Sequence, residues 1–288
     1  MKKLGLVVPA ILLSILCSCS SAEPKSGVTT SSGSSLQNST ADANAAAPGG
    51  AKIDITEGGP ADTVRSFYQK LREKKFREAI FMTNLRPAVE GLTDAELQEF
   101  SLDFAQLAGQ VPDQLEINGE IITGDSATVT VNISDPDSGK TEVQPIKLRR
   151  DKGVWIIQSV DAAAAERIKK EGKNYLFNLR IETHENEARA MLDRIAKAQL
   201  VASGQNNGQY QTVDDLVSAG LLPQDVRGSV STGYNYSVSL SADKHSYTAT
   251  ACPSEYEKTG RLSFLVTLDS KGASHLTSKD NGGKPLSK

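Results

Sequence analysis

Two abrupt changes in hydropathy divide the chain before any motif is read. Leu4 to Leu16 is an apolar run broken only by Gly5, Pro9 and Ser14, and it follows the positive pair Lys2-Lys3. A bilayer-spanning helix takes roughly 20 apolar residues, so this run is too short to cross comfortably and has the length of a secretory signal core. From Ser20 to about Gly59 the side chains are mostly Ser, Thr, Ala, Gly and Asn, with almost no large apolar residue. A segment of that kind cannot bury enough surface to offset the entropy of ordering it. Residues 1–18 are therefore read as a signal peptide, 19–59 as a disordered tether, and only 60–288 as folded. A flexible tether of roughly forty residues has a root-mean-square span on the order of 35 Å.

The signal core runs into Leu16-Cys17-Ser18-Cys19. With an apolar residue at −3, a small one at −1 and a cysteine, this stretch resembles the lipobox of bacterial lipoproteins. The resemblance implies that Cys19 carries the lipid; Cys17 fits the pattern poorly, because Leu16 would stand at −1. Several acyl chains anchor firmly where one alone binds only marginally. Ser20, rather than Asp, follows the cysteine. In Gram-negative sorting that implies an exported protein anchored to the outer membrane.

Lipidation also uses up the cysteines. Of three, Cys17 leaves with the signal and Cys19 is acylated, so Cys252 is the only thiol of the mature chain. No internal disulfide or cysteine-based metal site is then expected, and the fold must be held by its cores. His184, His245 and His275 are scattered without ligand spacing and are read as surface or turn residues. Residues 58–160 carry 12 Lys/Arg against 16 Asp/Glu, and residues 165–288 carry 16 against 14. Neither half has the clustered positive charge that phosphate contacts require, so nucleic-acid binding is not expected.

Pro60-Ala61-Asp62 opens a helix, and Val64, Phe67, Tyr68 and Leu71 recur on one face of it. Phe76, Ala79 and Ile80 continue after Lys74-Lys75. A further helix is predicted from Thr93 through Leu97, Phe100, Leu102, Phe104 and Leu107 to Gly109. The period then changes to two, with Leu115-Ile117, Ala127-Val129-Val131-Ile133, Val143-Ile146-Leu148 and Val154-Ile156 on strands. Gly124-Asp125, Asp135 to Gly139 and Asp151 to Gly153 separate them as hairpin turns. Helices followed by an antiparallel meander predict an α+β layer fold for residues 60–162.

Val64-Arg65-Ser66-Phe67-Tyr68, Phe76-Arg77-Glu78-Ala79 and Val154-Trp155-Ile156-Ile157 make this domain resemble the nuclear transport factor 2-like cone fold of small bacterial lipoproteins. The resemblance implies a curved sheet wrapped around helices with a pocket at the open end. Relatives range from isomerases and dehydratases to pure binding modules, so function does not follow from the fold. Tyr68, Asp103 and Trp155 are the residues that such a pocket could use. No acid/base constellation surrounds them and no histidine lies in this domain, so Tyr68 and Trp155 are read first as core aromatics, and any binding as apolar.

Residues 163–174 read as a helical connector. The chain from 175 to 288 opens with a long helix whose buried face is Ala188, Met191, Leu192, Ile195 and Leu200, ending at Gly204 to Gly208. A short helix follows at Thr212 to Ala219 with Thr212 as cap. Strands are expected at Gly233 to Val238, Tyr247 to Ala251, Leu262 to Leu268 and Ala273 to Leu276. Asn186-Glu187-Ala188-Arg189-Ala190 through Ala198-Gln199, Gly208-Gln209-Tyr210, Gly220-Leu221-Leu222 and Ser263-Phe264 give this order a resemblance to the globular part of type IV pilins and pseudopilins. The continuous hydrophobic assembly helix is missing, because Leu179 to Glu185 is polar and charged. That departure turns the resemblance toward a docking or structural head.

The expectation is thus a non-enzymatic, lipid-anchored envelope protein without cofactor, acting as an interaction or scaffold module through residues 175–288. The alternatives are a small apolar ligand in the cone of residues 60–162 or, further off, an isomerase- or dehydratase-like activity. No sequence feature decides the oligomeric state.

Overall fold

The computed structural model describes residues 54–109, 111, 115–134 and 141–287. Cys19, the signal, most of the tether and the expected turn at Asp135 to Gly139 lie outside them. The described residues form two compact units. One comprises Gln106–Asp161 with the described residues up to Asn84; the other comprises Leu85–Ala105 with the chain from Ala162 onward. Each is a helix-on-antiparallel-sheet layer, so the α+β class holds for both.

The first unit begins with α1, Pro60–Arg72. Proline costs nothing at the first helical position, where the missing N–H would have no intrahelical partner. Carboxylates meet the positive end of the helix: Glu120 accepts from the Ala61 N–H at 2.9 Å and Asp62 from the Gly58 N–H at 2.9 Å. Val64, Phe67, Tyr68 and Leu71 are buried, the face that the spacing predicts. Lys74, at φ 59°, takes the left-handed conformation that turns the chain into α2, Phe76–Ile80.

Strands β1 (Glu116–Thr123), β2 (Ser126–Ser134), β3 (Thr141–Asp151) and β4 (Val154–Ile157) pair antiparallel in that order. Helix α1 packs on β1, β2 and β4. Ala127, Val129, Val131 and Ile133 alternate inward with Ile146 and Leu148, all buried. Val143 and Val154 instead project from the opposite face, 64% and 61% exposed, because register places Val143 across from Asn132 and Val154 across from Asp151. Lys152 (φ 49°) and Gly153 (φ 86°) make the tight turn between β3 and β4.

In the second unit a short helix, α3 (Arg86–Glu90), precedes α4 (Asp94–Gln98) and the start of α5 (Ser101–Gly109), which belongs to this unit as far as Ala105. The sequence predicts one continuous helix from Thr93. The break falls beside Phe100, which is fully buried, while Leu102 is 79% exposed; burial of Phe100 and Phe104 sets the phase of α5. Thr93 and Glu96 form a reciprocal capping box at the start of α4. Helix α6 (Ala162–Glu171), a 3-10 turn at Gly172–Asn174 and the 31-residue α7 (Tyr175–Gln205) follow, the last in line with the predicted long helix.

Helix α8 (Val213–Ser218) is capped by Thr212, whose hydroxyl accepts from the Asp215 N–H at 3.2 Å. Strands β5 (Tyr234–Leu240), β6 (Tyr247–Pro253), β7 (Leu262–Leu268) and β8 (Ser274–Asp280) form the second antiparallel meander. Ala188, Met191, Leu192 and Ile195 pack with Leu216, Tyr234, Ala249, Phe264 and Val266 in one core. Leu200 does not join them: it is 72% exposed, while Gln199 beside it is fully buried.

Gln199 is buried because it does backbone work. Its Nε2 donates to the Gln211 carbonyl at 2.6 Å and its Oε1 accepts from the Gln211 N–H at 2.9 Å, holding the loop after α7 as a neighbouring strand would. Gln199→Leu keeps the volume but strands both backbone groups. The expected cost is about 2–4 kcal/mol, read as a lowered midpoint in urea unfolding at unchanged slope.

Candidate functional site

Tyr68 and Trp155 belong to the first unit and lie in its interior. Trp155 is 3% exposed, and register sets it across from Arg150, whose guanidinium carbon is 4.5 Å from the ring centroid. The cation covers the ring face, so Trp155 is packed on the sheet side and capped by charge on the other. Tyr68 is 1% exposed and meets Phe67 edge-on at 5.3 Å between centroids. Its hydroxyl is buried with no hydrogen-bond partner, and burial pushes the phenol far above its ordinary value. Tyr68 is therefore held neutral. An unpaired buried hydroxyl costs about 1–3 kcal/mol, which the aromatic packing around it must offset.

A polar clamp in the same unit went unread in the sequence. Asn84 sits where residues 82–84 run beside β4: Ile157 N–H donates to the Met82 carbonyl at 2.9 Å, and Asn84 N–H donates to the Ile157 carbonyl at 3.0 Å. The Asn84 side-chain oxygen accepts from Ser159 N–H at 3.0 Å, Ser159 Oγ at 2.9 Å and Val160 N–H at 3.2 Å. Its amide nitrogen donates to the Val160 carbonyl at 2.9 Å. One amide thus closes the end of the sheet. No local pattern announces it, since its partners stand 75 and 76 positions away.

Asp103 falls in the second unit, on α5. It is half-buried, and burial raises its carboxyl above the usual range while the Arg180 charge opposes the rise. Arg180, on α7, is 14% exposed. Its guanidinium lies 4.9 Å from the Phe100 ring centroid and 5.3 Å from that of Phe177, and it pairs with Glu99 at 3.2 Å. Its Nε is buried without a partner. Phe177 precedes Arg180 by three residues, the spacing that puts both on one helix face. This could have flagged the pair, although Phe100 as their target is a tertiary fact.

His184 is half-buried, with Nδ1 3.1 Å from the Thr259 carbonyl, and burial holds its imidazole below the ordinary value. His245 and His275 are exposed, as expected of turn and surface residues. The Cys252 thiol is buried on β6, and its ionisation is pushed up by burial. Among the described residues no group of three His, Cys, Asp or Glu side chains could hold a metal ion. No described helix is long and apolar enough to cross a membrane.

The structure thus defines a protein of two α+β units, with Tyr68 and Trp155 held in the core of the first. No protein-family model matches the sequence, and no curated protein does. Among solved structures, one is aligned from Campylobacter jejuni, a protein described as NTF2-like and named, provisionally, a transpeptidase. The alignment covers 35% of this chain and 97% of that one at 16% identity, with a TM-score of 0.25. A likeness that distant gives no information on activity.

Proposed function

We propose that this chain is a lipid-anchored cell-envelope protein with a non-enzymatic interaction or scaffold role, working through its outer surfaces. One observation carries the reading. Val64, Tyr68, Val129, Leu148, Trp155 and Ile157, each at most 3% exposed, are the interior of the first unit. Side chains that fill an interior are committed to packing, each contributing roughly 1.5–3 kcal/mol by burial. Anchoring is supported by the apolar run Leu4 to Leu16 leading into Leu16-Cys17-Ser18-Cys19. The likeness of residues 175–288 to pilin heads supports an envelope partner for that region.

Cys19→Ala tests the anchor. The variant is expected to accumulate as an unprocessed precursor without fatty-acid label, whereas normal maturation would end the proposal. Crosslinking of the full chain in intact envelopes tests the role, with a discrete partner expected.

A second reading, a small ligand in the first unit, is favoured by the Tyr68 hydroxyl. A buried donor without a partner is what a ligand carbonyl or hydroxyl would complete.

A further inference from the structure

Several exposed features meet at one end of the first unit. Ile121 (71% exposed) and Ile122 (48%) are successive residues of the edge strand β1 and so project to opposite faces, and Val154 (61%) opens β4. Register sets Ile121 across from Thr128 and Thr128 across from Lys147; in the next row Ser126 lies across from Arg149 and Arg149 across from Ile156. One outer face therefore carries Ile121, Val154 and Ile156 beside Lys147 and Arg149, with Lys152 at the adjoining turn. Lys147, Arg149 and Lys152 are exposed and have no ion-pair partner among the described residues. The exposed acids on this face and its turns are Asp125 and Asp151, and Asp54 and Glu57 are exposed on the segment before Pro60. Arg150, across from Trp155, belongs to the other face, so on the outer face and its turns three basic groups stand against two acidic ones.

The path of the N-terminal segment reaches the same end. Glu120 accepts from the Ala61 N–H, so the chain before Pro60 joins the fold beside the residue that precedes Ile121. The tether of the sequence reading, residues 19–59, therefore joins the unit at this end.

The geometry points to this end as a contact surface for an anionic phospholipid membrane, on which the anchored protein rests. The inference depends on the reading of Cys19 as the lipid-bearing residue. Aliphatic side chains gain by leaving water for the interfacial region. Each Lys or Arg near an anionic surface strengthens the contact about fivefold. A surface contact made by a tethered domain is effectively intramolecular, with local concentrations on the order of millimolar, so a weak contact is enough.

The test uses the acylated full chain in a Cys252→Ser background, with an environment-sensitive fluorophore on Ile121→Cys and, as control, on Ser274→Cys in β8. The protein is reconstituted on phosphatidylcholine vesicles with and without phosphatidylglycerol, and fatty-acid label on Cys19 is followed in the same samples. The position 121 probe is expected to shift to the blue only on the anionic vesicles, with the position 274 probe unchanged. Lys147→Glu with Arg149→Glu is expected to reduce the fraction of position 121 probes that shift by roughly tenfold or more, with the acylated chain still on the vesicles. No shift on anionic vesicles with acylation intact overturns the inference and leaves the anchor standing. A shift on both vesicle types that grows with protein density assigns the face to a second copy of the chain, and also overturns it. Absence of the fatty-acid label removes the anchor and this inference together.

Discussion

Gly260→Ala is expected to lower the stability of the second unit by about 3 kcal/mol or more, one of the two largest effects of a single substitution in this chain. A β-carbon built on Gly260 falls 2.1 Å from the Tyr234 hydroxyl oxygen and 2.6 Å from the ring carbon that bears it. No van der Waals contact is that short, so the ring or the loop must move. Neither is free to do so. Tyr234 is fully buried, its hydroxyl donates to the Leu262 carbonyl at 2.8 Å, and its ring packs on Phe264 at 5.9 Å between centroids. Overpacking a well-filled core costs about 1–3 kcal/mol, and displacing the hydroxyl adds the cost of a stranded carbonyl. Chemical denaturation followed by far-UV circular dichroism measures the loss. Gly260→Ala with Tyr234→Phe is expected to recover part of it, because the atom that clashes most is removed. Failure of that pair to improve on Gly260→Ala alone would place the strain elsewhere.

Asn84→Ala is expected to destabilise the first unit by about 3–4 kcal/mol. Five hydrogen bonds end on this one amide, three of them to partly buried backbone groups of Ser159 and Val160. Each stranded group carries about 1 kcal/mol or more. The loss should also be local before it is global. Hydrogen exchange at Ile157 to Val160 is expected to accelerate more than exchange along β2, because the clamp is what keeps residues 82–84 beside β4. Asn84→Asp retains the acceptor for the Ser159 and Val160 N–H groups while losing the donor to the Val160 carbonyl, and should fall between wild type and alanine. An aspartate variant no better than alanine would mean that the accepted bonds contribute little.

Local regularity was legible from the chain, and its tertiary use was not. The i, i+3, i+4, i+7 pattern from Val64 to Leu71 and the alternation from Ala127 to Ile133 each commit a face, and both faces are buried as read. Thr212 works as a cap because its signal is complete within four residues. Leu200 reads as a member of the buried face on hydrophobicity alone, yet it is exposed, as are Leu102, Val143 and Val154, because aliphatic side chains are common on surfaces. Helix α3 spans five residues, too few to display a period. The grouping of Leu85–Ala105 with the chain after Ala162 depends on contacts such as Phe100 with Phe177, 5.0 Å between ring centroids, which no window of the sequence contains. Asn84 and Gln199 escaped for the same reason. An amide that binds backbone carries no periodicity, and its burial is known only once the partner strand or loop is in place.

The interior of the first unit decides between a surface-acting module and a ligand-binding one, and Tyr68→Phe tests it with a single atom. The substitution removes a buried hydroxyl that has no partner in the fold and leaves the ring, its edge-on contact with Phe67 and the surrounding packing in place. If the phenol serves only as packing, the unfolding midpoint of Tyr68→Phe should equal that of the wild type or exceed it, by up to about 2 kcal/mol in stability. A loss of about 1 kcal/mol or more would show that the hydroxyl is satisfied in solution by a water or a bound molecule. It would contradict the reading of this interior as core and return the first unit to the ligand-binding hypothesis.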